Sequence, residues 1–197
     1  MGGRIARLIS IALVAAAANS CGTSAPARFY TLEATATPDG AAAMHTTVMV
    51  GPVTIPAAVD QPQFVVQVAS NRVEVDEYNR WVAPLNDSIA RAVAGDLAVL
   101  LGTPDVATAP LANFNPDYRV TIDVQRFESE RSEAALLEAV WAVRPTVGGR
   151  TRSGRTIARE AVQGDGFDAL AAAHSRAVAR MSADIAVAIR AEAEAKP

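Results

Sequence analysis

Residues 64–101 read FVVQVASNRVEVDEYNRWVAPLNDSIARAVAGDLAVLL, and the hydrophobic period changes inside them. Phe64, Val66 and Val68 alternate with Val65, Gln67 and Ala69; past Asn71-Arg72, Val73 and Val75 alternate with Glu74 and Asp76. A two-residue period sends successive side chains to opposite faces, so these are two strands, and the turn signal between them predicts a hairpin. There is no Asn-Gly pair to set its geometry. From Leu85 the spacing turns helical. Leu85, Ile89, Val93 and Leu97 recur every four residues, with Leu100 and Leu101 near the end, while Asn86, Asp87, Arg91 and Asp96 fall elsewhere around the axis. Pro84 suits a first turn, and Gly102 followed by Pro104 marks a stop.

The same reading extends outward in both directions. Upstream, Arg28-Phe29-Tyr30-Thr31-Leu32 has the aromatic and β-branched content of a first strand, residues 34–45 form a loop, and residues 46–55 form a second strand. Gly51-Pro52 interrupts that strand and fits an edge or a bulge, because Pro52 has no amide proton to donate. Downstream, Tyr118, Val120, Ile122 and Val124 share one side of a strand, with Arg119, Thr121, Asp123 and Gln125 on the other. Phe127 breaks the parity, which either a bulge or an exposed turn explains. Ala135, Leu137, Ala139, Trp141 and Val143 alternate again, residues 155–162 make a shorter series, and residues 148–154 form the loop between them. Phe167, Leu170, His174, Val178, Met181, Ile185 and Ile189 then define a final helix entered through Asp165 or Gly166. Two long amphipathic helices and several strands predict one α/β domain, a mixed sheet covered by helices, over residues 28–190, with a frayed tail at 191–197.

The chain has 197 residues, half of them hydrophobic, which supports one domain with a real core. Its 18 Lys and Arg against 21 Asp and Glu leave a net charge of -3, which excludes the concentrated basic surface that nucleic acid requires. The single cysteine excludes an internal disulfide. Residues 1–20 read as an export signal: Arg4 and Arg7 make a positive start, and residues 8–18 form an apolar run. Such a run extends roughly 16 Å as a helix, whereas crossing a bilayer takes about 20 residues.

Cys21 stands directly after this signal, followed by the small and polar residues 22–27, a tether. Residues 18–21, Ala-Asn-Ser-Cys, resemble a bacterial lipoprotein signal box, although that box prefers Leu where Ala18 stands. Acylation of Cys21 is the leading reading; simple cleavage that leaves a free thiol is the other. By the same resemblance, Gly22 after the cysteine implies delivery to the outer membrane.

Little in the chain reads as catalytic. His45 and His174 have no metal-ligand partner at local spacing, no glycine-rich phosphate or dinucleotide loop exists, and no nucleophile elbow is present. No cofactor, metal or enzymatic activity is expected. Glu128, Glu130 and Glu133 with Arg126 and Arg131 read as a charged turn, and Trp141 as core. Arg80 and Trp81, between hairpin and helix, either brace the sheet edge, with Glu77 in reach of Arg80, or meet a partner.

Taken in order, Phe29-Tyr30-Thr31-Leu32, Val50-Gly51-Pro52-Val53-Thr54-Ile55-Pro56, Asp60-Gln61-Pro62-Gln63 and Asn71-Arg72 through Arg80-Trp81 with Pro84-Leu85 resemble the ABC-type transport auxiliary lipoproteins, the PqiC- and YmbA-like proteins. The resemblance spans roughly residues 21–190. It implies a compact three-layer α/β sandwich and a noncatalytic, outer-membrane-anchored periplasmic accessory of an MCE-type lipid transport system. Its partners would be the MCE-domain protein, the membrane through the anchor, phospholipid and further copies of the chain. Asn71, Arg72, Gln61, Arg80 and Trp81 become candidate partner-facing or structural residues. A solitary lipoprotein that binds a small hydrophobic ligand is the competing reading.

Overall fold

The computed structural model describes residues 25–109 and 114–195; the export signal and Cys21 lie outside them. Eight strands, β1 (Arg28–Tyr30), β2 (Val48–Thr54), β3 (Gln63–Ala69), β4 (Arg72–Trp81), β5 (Val106–Ala107), β6 (Tyr118–Glu130), β7 (Ala134–Pro145) and β8 (Arg152–Ala161), form one mixed sheet. Two helices, α1 (Leu85–Leu101) and α2 (Gly166–Glu194), pack on it.

β6 is the spine. One of its edges pairs antiparallel with β7 along its whole length, and β7 pairs in turn with β8. Its other edge is shared. β2 runs parallel to its first half, from Val48 opposite Tyr118 to Thr54 opposite Asp123, whereas β3 joins only at its far end, Val66 opposite Ser129. The sheet therefore forks, and residues 55–62 connect its two branches. β4 folds back on β3 as the expected hairpin, and β1 adds to β4 in parallel.

The parity break at Phe127 is a bulge. The β6–β7 register jumps between Val124 and Arg126, which returns Phe127 to the core opposite Leu137. Gly51-Pro52 is likewise a bulge, where the β2–β6 register shifts between Val50 and Val53; the peptide bond is cis and Gly51 has φ of 126°. That conformation favours glycine.

α1 buries the residues its period implied, with Ile89, Val93, Leu97 and Leu101 fully enclosed. It ends on Gly102 in the left-handed conformation, where the Gly102 and Thr103 amides donate to Val99 and Ala98 carbonyls. Asp96 departs from the helical pattern: it is fully buried. Its Oδ1 accepts the amides of Thr35 and Ala36 at 2.8 Å each, and its Oδ2 accepts the Ser182 hydroxyl at 2.9 Å. Burial pushes this carboxyl up and the hydrogen bonds oppose that shift. Asp96 thus ties α1 and α2 to residues 33–36 of the loop after β1. The same loop donates the Glu33 amide to Ser175 and ends where Met44 donates to the Leu101 carbonyl. A Cβ on Gly95 would come within 2.6 Å of the Ala34 Cβ, so the loop lies directly against the helix. Sheet, helix pair and strap make the compact α/β sandwich.

α2 runs across β7 and β8 and continues through Glu194. Glu192, which the sequence assigns to a frayed tail, is buried: its Oε1 accepts the Arg150 amide at 2.7 Å and its Oε2 accepts Arg152 Nε at 2.8 Å. Contacts with the β7–β8 loop hold this last turn. Trp141 lies in the core on Gly154, where any Cβ would reach within 2.3 Å of the indole, and its Nε1 donates to Thr156 Oγ1.

Candidate functional site

Three of the segments that carry the family resemblance, at residues 29–30, 60–62 and 80–85, are far apart in sequence but meet at one corner. Arg28, Phe29 and Tyr30 stand opposite Asn79, Arg80 and Trp81 in parallel register. The Val82 amide donates to the Tyr30 carbonyl at 2.9 Å and the Trp81 amide to the Pro62 carbonyl at 2.6 Å. The stretch from Trp81 to Leu85 is thereby tied to β1 on one side and to residues 60–62 on the other. The loop at 60–62 is itself folded locally, with the Val59 amide on the Pro56 carbonyl and Gln61 Nε2 donating to the Ala58 carbonyl. Between residues 60–62 and 81–85 lies an open hollow of about 330 Å³.

Trp81 forms the inner wall of that hollow and is itself core, 5% exposed. It stacks on Phe64 with centroids 4.1 Å apart, and Phe64 meets Tyr30 and Phe167 edge to face. The cluster continues through Phe127 to His174, whose rings stack at 4.0 Å. Arg80 points the other way. Its Nε donates to the Glu77 carbonyl at 2.9 Å, and its guanidinium stands 3.6 Å from the Glu77 carboxylate. The bend in β4 that allows this is built by Asp76, whose Oδ1 accepts the Tyr78 and Asn79 amides and Asn79 Nδ2. Burial works upward on the Asp76 carboxyl, but these bonds and the charge of Arg131 hold it below the usual range.

Of the residues singled out from sequence, Gln61, Arg80 and Trp81 converge here. Asn71 and Arg72 do not: they sit exposed at the hairpin tip, about 30 Å of strand away at roughly 3.3 Å per residue. Cys21 lies outside the described residues.

A buried pair outside this corner has the makings of catalytic chemistry but not the access. Ser129 Oγ and His174 Nε2 are 2.8 Å apart, yet the histidine is fully enclosed, its Nδ1 has no hydrogen-bond partner, and burial lowers its pKa to about 3. A triad base needs a group on Nδ1 to orient it and substrate access to the serine. The pair is a packing device between β6 and α2.

Two further hollows open on the sheet face away from the helices. One, of about 160 Å³, sits in the fork against Phe127 and is bordered by Pro56, Val59, Val65 and Val73. Beside it is a polar one of about 500 Å³, rimmed by Arg126, Glu128, Glu130, Arg131 and Glu133. The parity break at Phe127 marks the bulge on the β7 side of β6; nothing in the sequence marks the fork on its other edge. Among the described residues, no group of three His, Cys, Asp or Glu is placed to hold a metal, and no helix is long and apolar enough to cross a membrane.

Compared with known families, the chain matches the model of the ABC-type transport auxiliary lipoprotein component over residues 30–186. No curated protein matches it. A crystal structure of a Xanthomonas campestris protein is 21% identical with a TM-score of 0.68, over 81% of this chain and 93% of that one. A second crystal structure, of an uncharacterised protein, is 20% identical with a TM-score of 0.69, over 84% of this chain and 99% of that one. Those likenesses show a shared fold.

Proposed function

We propose, because this chain belongs to the ABC-type transport auxiliary lipoprotein family, that it is the outer-membrane-anchored periplasmic accessory of an MCE-type lipid transport system. In this reading, acyl chains on Cys21 hold the domain at the membrane, and its surfaces dock or align the MCE-domain protein so that phospholipid passes between envelope membranes. The observation that carries it is the family match across residues 30–186, which takes in nearly the whole folded domain. The domain's part is architectural. The Ser129–His174 pair is sealed in the core, and the corner that gathers Gln61, Arg80 and Trp81 offers shape and a guanidinium rather than a reactive group. Copies of the chain arranged around a passage would fit the same role.

Two measurements test this. Cys21→Ser should move the protein from the membrane fraction to the soluble periplasm, because no other segment of the mature chain is apolar enough to replace the anchor; retention on membranes would refute acylation. Crosslinking in intact envelopes, followed by detergent extraction, should recover the MCE-domain protein with this lipoprotein. If an intact MCE system never associates with it, the solitary ligand-binding reading takes over.

A further inference from the structure

The corner at which the tether enters the fold carries apolar side chains that the core does not use. Phe29 and Val82 are each 62% exposed and Tyr78 is 48% exposed, while their neighbours Tyr30 and Trp81 are buried. Parallel pairing sets Phe29 opposite Arg80, and the bond from the Val82 amide to the Tyr30 carbonyl brings Val82 alongside β1. Tyr78 and Val82 flank Arg80 along the chain, and Arg28 starts the neighbouring strand. The strand alternation that seats Tyr30 and Trp81 in the core therefore places Phe29, Val82 and the Arg80 guanidinium on the outside, whereas Arg28 shares the side of Tyr30 and bonds to its hydroxyl. Packing does not require large apolar residues there, and a patch of this kind marks a surface that meets something.

We infer that this corner is a membrane-contact surface, which lays the domain on the headgroup layer of the membrane that holds its anchor. The inference rests on acylation at Cys21. Its support is the length of chain between the anchor and the patch. Residues 21–27 are seven residues, whose covalent geometry lets them reach at most about 25 Å. β6 alone is 13 residues, roughly 43 Å. However the domain tumbles, the start of β1 stays within about 25 Å of the membrane surface, while the hairpin tip and the far strands are free to stand farther away. Lipid is thus the first surface that Phe29, Tyr78 and Val82 meet. The chemistry of the patch agrees: aromatic rings settle at the headgroup level, and exposed apolar area is what buries an interfacial element in the headgroup and acyl boundary. The acyl chains hold the protein, and the patch sets its orientation. The hollow between residues 60–62 and 81–85 shares Val82 with the patch, so this orientation opens it at the lipid surface.

The experiment uses the acylated mature protein in vesicles of phosphatidylethanolamine and phosphatidylglycerol. Because Cys21 is blocked by its lipid, an engineered thiol is the only one free to take an environment-sensitive fluorophore. Val82→Cys and Phe29→Cys report on the corner, and Ile157→Cys, 61% exposed on β8, is the control. On protein that floats with the vesicles, labels at 29 and 82 should shift to shorter wavelength and be quenched by nitroxide-bearing lipid several-fold more than the label at 157. Equal quenching at all three positions overturns the inference. So does a shielded label at 82 that lipid does not quench, which would mean that copies of the chain pack there instead. Protein that fails to float takes down the anchor reading as well, whereas floating protein with unquenched labels at 29 and 82 takes down this inference alone.

Discussion

β6 presents two faces with opposite chemistry. Toward the helices it sends Tyr118, Val120, Ile122, Val124 and Phe127, all buried, to meet α1, α2 and the aromatic cluster. Away from them it sends Arg119, Thr121, Asp123, Arg126, Glu128 and Glu130, of which Arg126, Glu128 and Glu130 enter a lattice of ion pairs. In that lattice Arg126 clasps Glu128 with two bonds of 2.8 Å, Arg126 and Arg155 cover Glu138, and Arg159 bridges Glu130 and Glu133. The covered face holds the fold together. The exposed side chains of the open face and of the tether corner contribute little to folding.

The largest effect should come from breaking the covered face. Trp81→Ala removes the ring that stacks on Phe64, and large aromatic truncations in a core cost about 3–5 kcal/mol; chemical denaturation should show the loss as an earlier midpoint at unchanged slope. Asp96→Ala should follow. It strands the amides of Thr35 and Ala36 and the Ser182 hydroxyl without an acceptor, a loss of about 3 kcal/mol, and hydrogen exchange at residues 33–36 should speed up more than elsewhere.

His174 adds a pH effect on the same face. Folded, it accepts a proton only near pH 3, against about 6.5 when unfolded. Between those values the unfolded chain binds the extra proton, so stability falls as pH drops from about 6.5 toward 3, by at most about 1.4 kcal/mol per unit. Asp96 acts in the opposite sense: its raised pKa means its carboxyl adds stability at low pH and loses it as pH rises through the folded value. The difference between wild type and His174→Gln, measured across pH 6.5 to 4, isolates the histidine, and identical slopes would show that it is not enclosed as described. The smallest effect belongs to the open face. Arg155→Ala breaks a pair whose arginine is 60% exposed, which should cost no more than about 1 kcal/mol and less in high salt. A loss as large as that of Trp81→Ala would mean that this face, too, is structural.

Local periodicity made most of the covered face legible. The runs at Leu85 to Leu101, Tyr118 to Val124 and Phe167 to Ile189 each read correctly because a buried face repeats a two- or 3.6-residue period whatever it packs against. Asp96 and Glu192 did not read, because a carboxylate looks the same in sequence whether water or backbone amides solvate it. Of the candidate site, the segments around Gln61 and Arg80-Trp81 were legible as an ordered set, but their meeting with β1 was not. The grouping of Asn71 and Arg72 with them came apart, since a hairpin of extended strands carries its tip far from its base.

From its own residues the chain set the longer strands, both helices and the position of Cys21 ahead of the fold, because these depend on side-chain size, polarity and spacing along one segment. Only the tertiary structure decided that β2 and β3 would share one edge of β6, that the loop after β1 would lie across the helices on Asp96, and that Phe29 and Val82 would meet beside the tether. These are contacts between segments distant in sequence, and no pattern within a segment specifies the partner that will stand across from it.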